Sequence, residues 1–195
     1  MSFSLRISCV FLTLLSMLLG GCVGSQDANI KKDAAYNKRL NDTTIVWTPQ
    51  QDFRMEIYRT KMPSASSPNS PPHITELDKV NARKGITELM ALFSRHAVSS
   101  MSKALTEAGV QVNPRAPSAA TRMVITPVGS NTGCAASACE HTLKVQVALF
   151  DKTEGKEVWS GTFKVGAPYM AQIDEAVVKG FTDAVIVELK RTNML

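Results

Sequence analysis

Strict alternation of apolar and polar residues is clearest from His141 to Phe150. Leu143, Val145, Val147 and Leu149 fall on one side, and Lys144, Gln146 and Ala148 fall on the other. A period of two marks a half-buried strand. Asp151-Lys-Thr-Glu-Gly155 follows as a turn, with a glycine where positive φ is favoured. The return strand runs from Glu157 to Val165 and carries Trp159, Gly161, Phe163 and Val165 on one side. Three further segments read as strands: Thr44–Trp47, which is β-branched and aromatic, Phe53–Tyr58, and Arg122–Thr126, stopped by Pro127. In Phe53–Tyr58, Phe53, Met55 and Ile57 alternate with Arg54, Glu56 and Tyr58. Gly109-Val-Gln-Val112 has the makings of a short additional strand.

Helical spacing replaces alternation in two places. Leu89, Leu92, Phe93, His96, Ala97, Met101, Ala104, Leu105 and Ala108 recur every three or four residues and form one apolar stripe, closed by Gly109. This helix is expected to begin near Gly85–Ile86, with room for a further turn upstream from Thr75. His96 on the stripe reads as a core or boundary histidine. A closing helix is expected from about Met170 to Arg191, burying Ile173, Val177, Phe181, Ala184, Val185 and Leu189. Lys190 and Arg191 in its last turn, and Asp174 and Glu175 near its start, suit the helix dipole. The order predicts an α+β two-layer sandwich: a mostly antiparallel sheet of about four to five strands, with two amphipathic helices on one face.

Two polar stretches interrupt this pattern. Residues 23–42 have no apolar period and read as a tether, with a short solvated helix around Ile30–Leu40 as its only expected structure. Residues 63–72 are rich in serine and proline (Pro63, Ser64, Ser66, Ser67, Pro68, Ser70, Pro71, Pro72) and read as a loop.

The start of the chain is different in kind. Arg6 precedes an apolar run from Ile7 to Leu19, followed by Gly20, Gly21 and Cys22. A basic region, a short apolar core and small residues are the order of a secretory signal. The core is too short to span a bilayer, which takes roughly 20 apolar residues. Leu19-Gly20-Gly21-Cys22 resembles the lipobox of bacterial lipoprotein signals. The resemblance implies cleavage before Cys22, acylation of that cysteine and anchoring in a membrane. Val23 follows where an aspartate would favour the inner membrane in enterobacteria, so the resemblance implies sorting to the outer membrane. An ordinary secretory signal with a chance cysteine is the bland alternative. The expected organisation is a signal at 1–21, a lipidated cysteine and tether at 22–43, and one periplasmic domain at 44–195.

Charge adds little. The chain has 22 basic and 17 acidic residues, a formal charge of +5. The basic residues are spread out and not interleaved with aromatics, which argues against nucleic acid. Of the four cysteines, Cys9 would leave with the signal. Cys134 and Cys139 remain, and a pair in an exported protein predicts a structural disulfide. A redox role would want Cys-x-x-Cys, and a metal site would need ligands beyond the nearby His141.

Catalytic patterns are missing from the sequence. There is no Gly-x-Ser-x-Gly, no phosphate loop and no His-Glu-x-x-His, and Glu140 beside His141 points to the opposite face of a strand. The expectation is therefore a protein that is not an enzyme, with no catalytic residues, no cofactor and no metal. Val147-Ala-Leu-Phe-Asp-Lys-Thr-Glu-Gly-Lys-Glu-Val-Trp-Ser-Gly161 carries Asp151, Thr153, Gly155, Trp159 and Ser160. It resembles small envelope lipoproteins with a TolB-N-terminal-like α/β domain, whose helix before the sheet often ends as Leu105 to Gly109 does here. The Asn-Arg-Thr stretch of penicillin-binding-protein activators is not found in this chain. The resemblance implies a non-catalytic, partner-binding domain. The expected function is that of an outer-membrane-anchored accessory or docking subunit of an envelope assembly, facing the periplasm. Its partners would be the membrane, through Cys22, and an envelope protein met by the Ser/Pro and disulfide loops. Alternatives are a lipoprotein that binds a lipid, glycan or small ligand in a cavity lined by Trp47, Trp159 or Phe163, and a surface-exposed adhesive lipoprotein.

Overall fold

The computed structural model describes residues 28–50, 52–59, 73–113, 118–135, 138–167 and 173–195. Seven strands form one sheet: β1 (Asn29–Lys32), β2 (Asp42–Trp47), β3 (Arg54–Arg59), β4 (Gln111–Val112), β5 (Thr121–Ala135), β6 (Ala138–Asp151) and β7 (Lys156–Ala167). Two helices, α1 (Glu76–Glu107) and α2 (Glu175–Arg191), accompany it among the described residues. The strand order is β1-β7-β6-β5-β2-β4, with β3 also pairing to β5.

The three longest strands make an antiparallel meander. β5 and β6 pair from Thr121↔Asp151 to Ala135↔Ala138, well beyond the stop expected at Pro127. Proline has no N–H to give the ladder. The sheet absorbs it with a bulge: Pro127 faces Val145 and Gly129 faces Lys144, leaving Val128 as the extra residue. The segment expected to be a disulfide loop is thus the far end of two continuous strands. At the other end, Asp151 Oδ1 accepts the N–H groups of Thr153 (2.8 Å) and Glu154 (3.0 Å), and Gly155 sits at φ 67°. That fixes the β6–β7 turn.

β5 also accepts parallel partners along its other edge. β2 pairs with Thr121–Ile125 and β3 with Gly129–Cys134, so both lie in line on one edge. The break between them contains Pro49 and stands level with the Pro127 bulge. Parallel pairing needs a crossover, and α1 provides it between β3 and the strands that follow. The sheet is mostly antiparallel by paired length, but it has seven strands where four to five were expected. The additions stand at opposite ends of the sheet: β1, which was not expected, and β4, which falls within the short strand offered at Gly109–Val112.

β1 corrects the tether reading of residues 22–43 over its described part, from Ala28 on. Asn29–Lys32 pairs antiparallel with Trp159–Thr162 of β7. Tyr36 and Leu40, expected in a solvated helix, are buried, and the Leu40 N–H donates to Met194 O at 2.8 Å. Among the described residues, the fold therefore includes Asn29–Leu40, upstream of the expected start at Thr44.

Both helices cover one face. α1 starts well before the expected Gly85, at a capping box: Thr75 Oγ1 accepts from Asp78 N and Asp78 accepts from Thr75 N. Leu89, Phe93, Ala97, Met101 and Leu105 are fully buried, each large side chain contributing about 1.5–3 kcal/mol. α2 is described from Asp174, its N-cap, onward; Met170 lies outside the described residues. The helices end alike. Val110 N donates to Leu105 O and Gly109 N to Thr106 O, while Met194 N donates to Leu189 O and Asn193 N to Lys190 O. These are Schellman closures, with Gly109 at φ 88° and Asn193 at φ 54° in the left-handed region. An aromatic line joins the layers: Trp47 to Phe93 (6.4 Å), Phe93 to Phe181 (5.4 Å), Phe181 to Phe163 (5.8 Å).

Candidate functional site

Cys22, the residue singled out for lipidation, and the Ser/Pro segment 63–72 lie outside the described residues. Only Val23–Ala28 separates Cys22 from β1.

Cys134 and Cys139 form a disulfide, with Cα atoms 4.1 Å apart in directly facing register. It ties β5 to β6 at the end of the sheet where α1 begins. The buried Asp78 carboxylate lies within 4.8 Å of both sulfurs. As a disulfide the sulfurs present no thiolate, so the three groups are not a metal-ligand set in this state. Hydrogen bonds from the Thr75 backbone and side chain, then Arg59 at 3.9 Å, hold the Asp78 carboxyl below the usual carboxylate range despite desolvation.

His141 faces α1 from the same end of β6. Its Nδ1 lies 3.2 Å from Thr132 Oγ1, and its ring lies against Gly85, where a methyl group would overlap it. Burial pushes the His141 pKa down, partly opposed by Glu88, so the ring is neutral near pH 7. Glu140 pairs with Gly133 and His141 with Thr132, consecutive positions on opposite faces. The two are not brought together.

His96 lies instead at the rim of a groove between α1 and α2, with Nδ1 3.7 Å from a Glu175 carboxylate oxygen. The groove encloses about 520 Å³. Ser100 and Thr182 meet by a 3.0 Å hydrogen bond, Ala104 and Val178 contribute apolar surface, and Lys103, Glu107 and the Lys179–Asp183 ion pair line it further. This is an open cleft that sets apolar surface beside hydrogen-bonding and charged groups. It was missed in the sequence because its charged residues, Lys103, Glu107, Lys179 and Asp183, are outward-facing positions of two helices far apart along the chain. The aromatic cavity expected between the layers is not what Trp159 and Phe163 line. Both are buried and packed 6.5 Å apart, with Trp159 Nε1 donating to Thr192 Oγ1 at 3.1 Å. Trp47 is half-buried against Phe93.

No protein-family model matches this chain, and none of the curated proteins does. Among solved structures, the fold is similar to the PelC dodecamer from Paraburkholderia phytofirmans, at 13% identity and a TM-score of 0.42. That match covers 82% of this chain and 96% of that one. It is also similar to the lipoprotein GNA1162 from Neisseria meningitidis, at 15% identity and a TM-score of 0.40, covering 77% of this chain and 99% of that one. At that distance neither likeness carries an argument about function.

Proposed function

We propose that this protein is an outer-membrane lipoprotein that serves as a non-catalytic accessory or docking subunit of a periplasmic envelope assembly. The observation that carries the reading is the run Leu19-Gly20-Gly21-Cys22 after a short apolar core, followed within a few residues by the first strand of a folded domain. Acyl chains on Cys22 hold the domain to the membrane, since more than one chain is needed for stable anchoring. The domain then presents a rigid sheet and two helices to a partner. Loops on such a scaffold commonly carry recognition.

The groove between α1 and α2 favours one alternative, a lipoprotein that binds a small ligand, because apolar Ala104 and Val178 lie there beside Lys103 and Glu175. The experiment that separates the readings is affinity capture of the intact protein from crosslinked envelopes, with the Cys22→Ala form alongside and the acylation of Cys22 checked by mass spectrometry. A defined envelope complex that is lost or weakened in Cys22→Ala is the expected result. Recovery of the protein alone, under conditions that capture other envelope complexes, would overturn the docking reading.

A further inference from the structure

We infer that the disulfide end of the domain is a membrane-facing surface, with Ile74, Leu77 and Val80 seated in the headgroup region of an anionic phospholipid leaflet. The inference rests on acylation at Cys22 and adds to it an orientation of the domain.

The distribution of exposed apolar side chains carries the first step. Among the described residues, five large ones are exposed: Tyr58, Ile74, Leu77, Val80 and Val187. Four of the five lie at one end. Leu77 and Val80, 63% and 58% exposed, sit one helical turn apart at the start of α1, and Ile74 immediately precedes its N-cap. That start lies beside the disulfide, with the Asp78 carboxylate within 4.8 Å of both sulfurs. Tyr58 lies at the same end, on the uncovered face of the sheet, over Gly133. The opposite end of the sheet is built otherwise. There the β6–β7 turn is laced by Lys38–Glu154, Lys156–Glu154 and Lys156–Asp33 ion pairs.

Charge supplies the second step. The accessible charges over the same turns of α1 are Lys79, Arg83 and Lys84 against Glu76, which pairs with Lys79 at 2.7 Å. Asp78 is buried. An apolar stripe flanked by a basic excess suits an anionic lipid surface.

The path of the chain supplies the third. β1 runs antiparallel to β7 with Asn29 opposite Thr162. Asn29 therefore stands near the middle of β7, between Ala167 at the disulfide end and Lys156 at the other. Val23–Ala28 allows Cys22 to lie at most roughly 25 Å from Asn29. Along β7, Thr162 lies roughly 17 Å from Ala167 and roughly 20 Å from Lys156, so both ends fall within that reach. An acylated Cys22 therefore holds the bilayer close to the domain, and the exposed apolar and basic side chains at the start of α1 select the disulfide end as the one that faces it.

The test uses the acylated protein reconstituted in phosphatidylethanolamine–phosphatidylglycerol vesicles. With Cys22 acylated and Cys134–Cys139 bonded, an introduced cysteine is the single free thiol to label with an environment-sensitive fluorophore. Leu77→Cys and Val80→Cys report on the proposed surface, and Val187→Cys, equally exposed and apolar, is the control. We expect a blue shift and several-fold stronger quenching by nitroxide lipid at positions 77 and 80 than at 187, weakened in pure phosphatidylcholine. Equal, water-like emission at all three positions, with Cys22 acylation confirmed by mass, overturns the orientation and leaves the lipoprotein reading standing. An unchanged signal in phosphatidylcholine overturns the anionic preference. Absence of acyl chains on Cys22 overturns both.

Discussion

Asp151 shows how one side chain can hold two distant parts of the chain. It is buried at the end of β6 and accepts from Thr153 N, Glu154 N, Tyr36 Oη and Lys38 Nζ. The Glu154 N–H contributes most to holding its pKa below the ordinary carboxylate range, with Lys38, Thr153 and Tyr36 adding to it against desolvation. A carboxyl whose folded-state pKa is depressed stabilises fully above its unfolded value, about 3.9, and loses that contribution as pH falls below it. Asp151→Ala should therefore cost about 2 kcal/mol at pH 7. The gap to the parent should narrow toward pH 3, as read by denaturant unfolding at both pH values; a pH-independent gap would show that the carboxylate's charge is immaterial. Ser130 makes the opposite case. It is buried on the helix-facing side of β5 with no partner for its hydroxyl. Removing an unsatisfied buried group removes its desolvation cost. Ser130→Ala should leave stability unchanged or raise it by up to about 1 kcal/mol, and a drop in the unfolding midpoint would mean that the hydroxyl is satisfied in solution.

Between α1 and β6, contact depends on a residue that helix propensity disfavours. Glycine inside a helix costs about 1 kcal/mol relative to alanine, yet Gly85 lies in the second half-dozen residues of α1 because the His141 ring occupies the space of a side chain. Gly85→Ala should thus destabilise by about 1–3 kcal/mol through overpacking. The same change in a His141→Ala background should be neutral or stabilising, because propensity then acts alone. Thermal unfolding of the four-member cycle checks this, and additive effects would sink it. This contact also explains why the sequence reading started α1 late, since Gly85 looks like a boundary when its partner is unknown. Other elements were plain in the sequence for a physical reason. β6 and the buried stripe of α1 each have one wet and one dry face, so burial writes their period into the chain. The pairing of β2 and β3 with β5 leaves no such trace, because parallel register rests on backbone hydrogen bonds that any side chain allows. The groove residues Ser100, Lys103, Lys179 and Asp183 were equally silent, being polar positions on the outer faces of two separate helices.

The whole domain depends on a segment that reads as solvated by composition. Residues 28–40 contribute a single inward aliphatic to β1, Ile30, against Gly161, and two isolated anchors, Tyr36 and Leu40. With so few apolar positions there is no period to detect. The structure nevertheless closes one edge of the sheet with β1, clamps Asp33 to Lys156 at 2.7 Å, and joins Leu40 to the C-terminal turn through Met194 O. Lys32 adds a hydrogen bond to Thr192 O at 2.6 Å, so the same segment braces the end of α2. Loss of a large buried side chain costs about 2–5 kcal/mol, while a whole domain has only about 5–15 kcal/mol of net stability. A soluble form beginning at Asp42 should therefore lie near the edge of unfolding, with the β7 edge bare and prone to pairing with other chains. A form beginning at Ala28 should fold cooperatively and stay monodisperse at the same concentration. Calorimetry and light scattering on the two forms decide the matter. Equal midpoints and equal dispersity would mean that residues 28–41 hang from the domain as the tether their composition suggests, which would also remove the short reach that keeps the domain close to the bilayer.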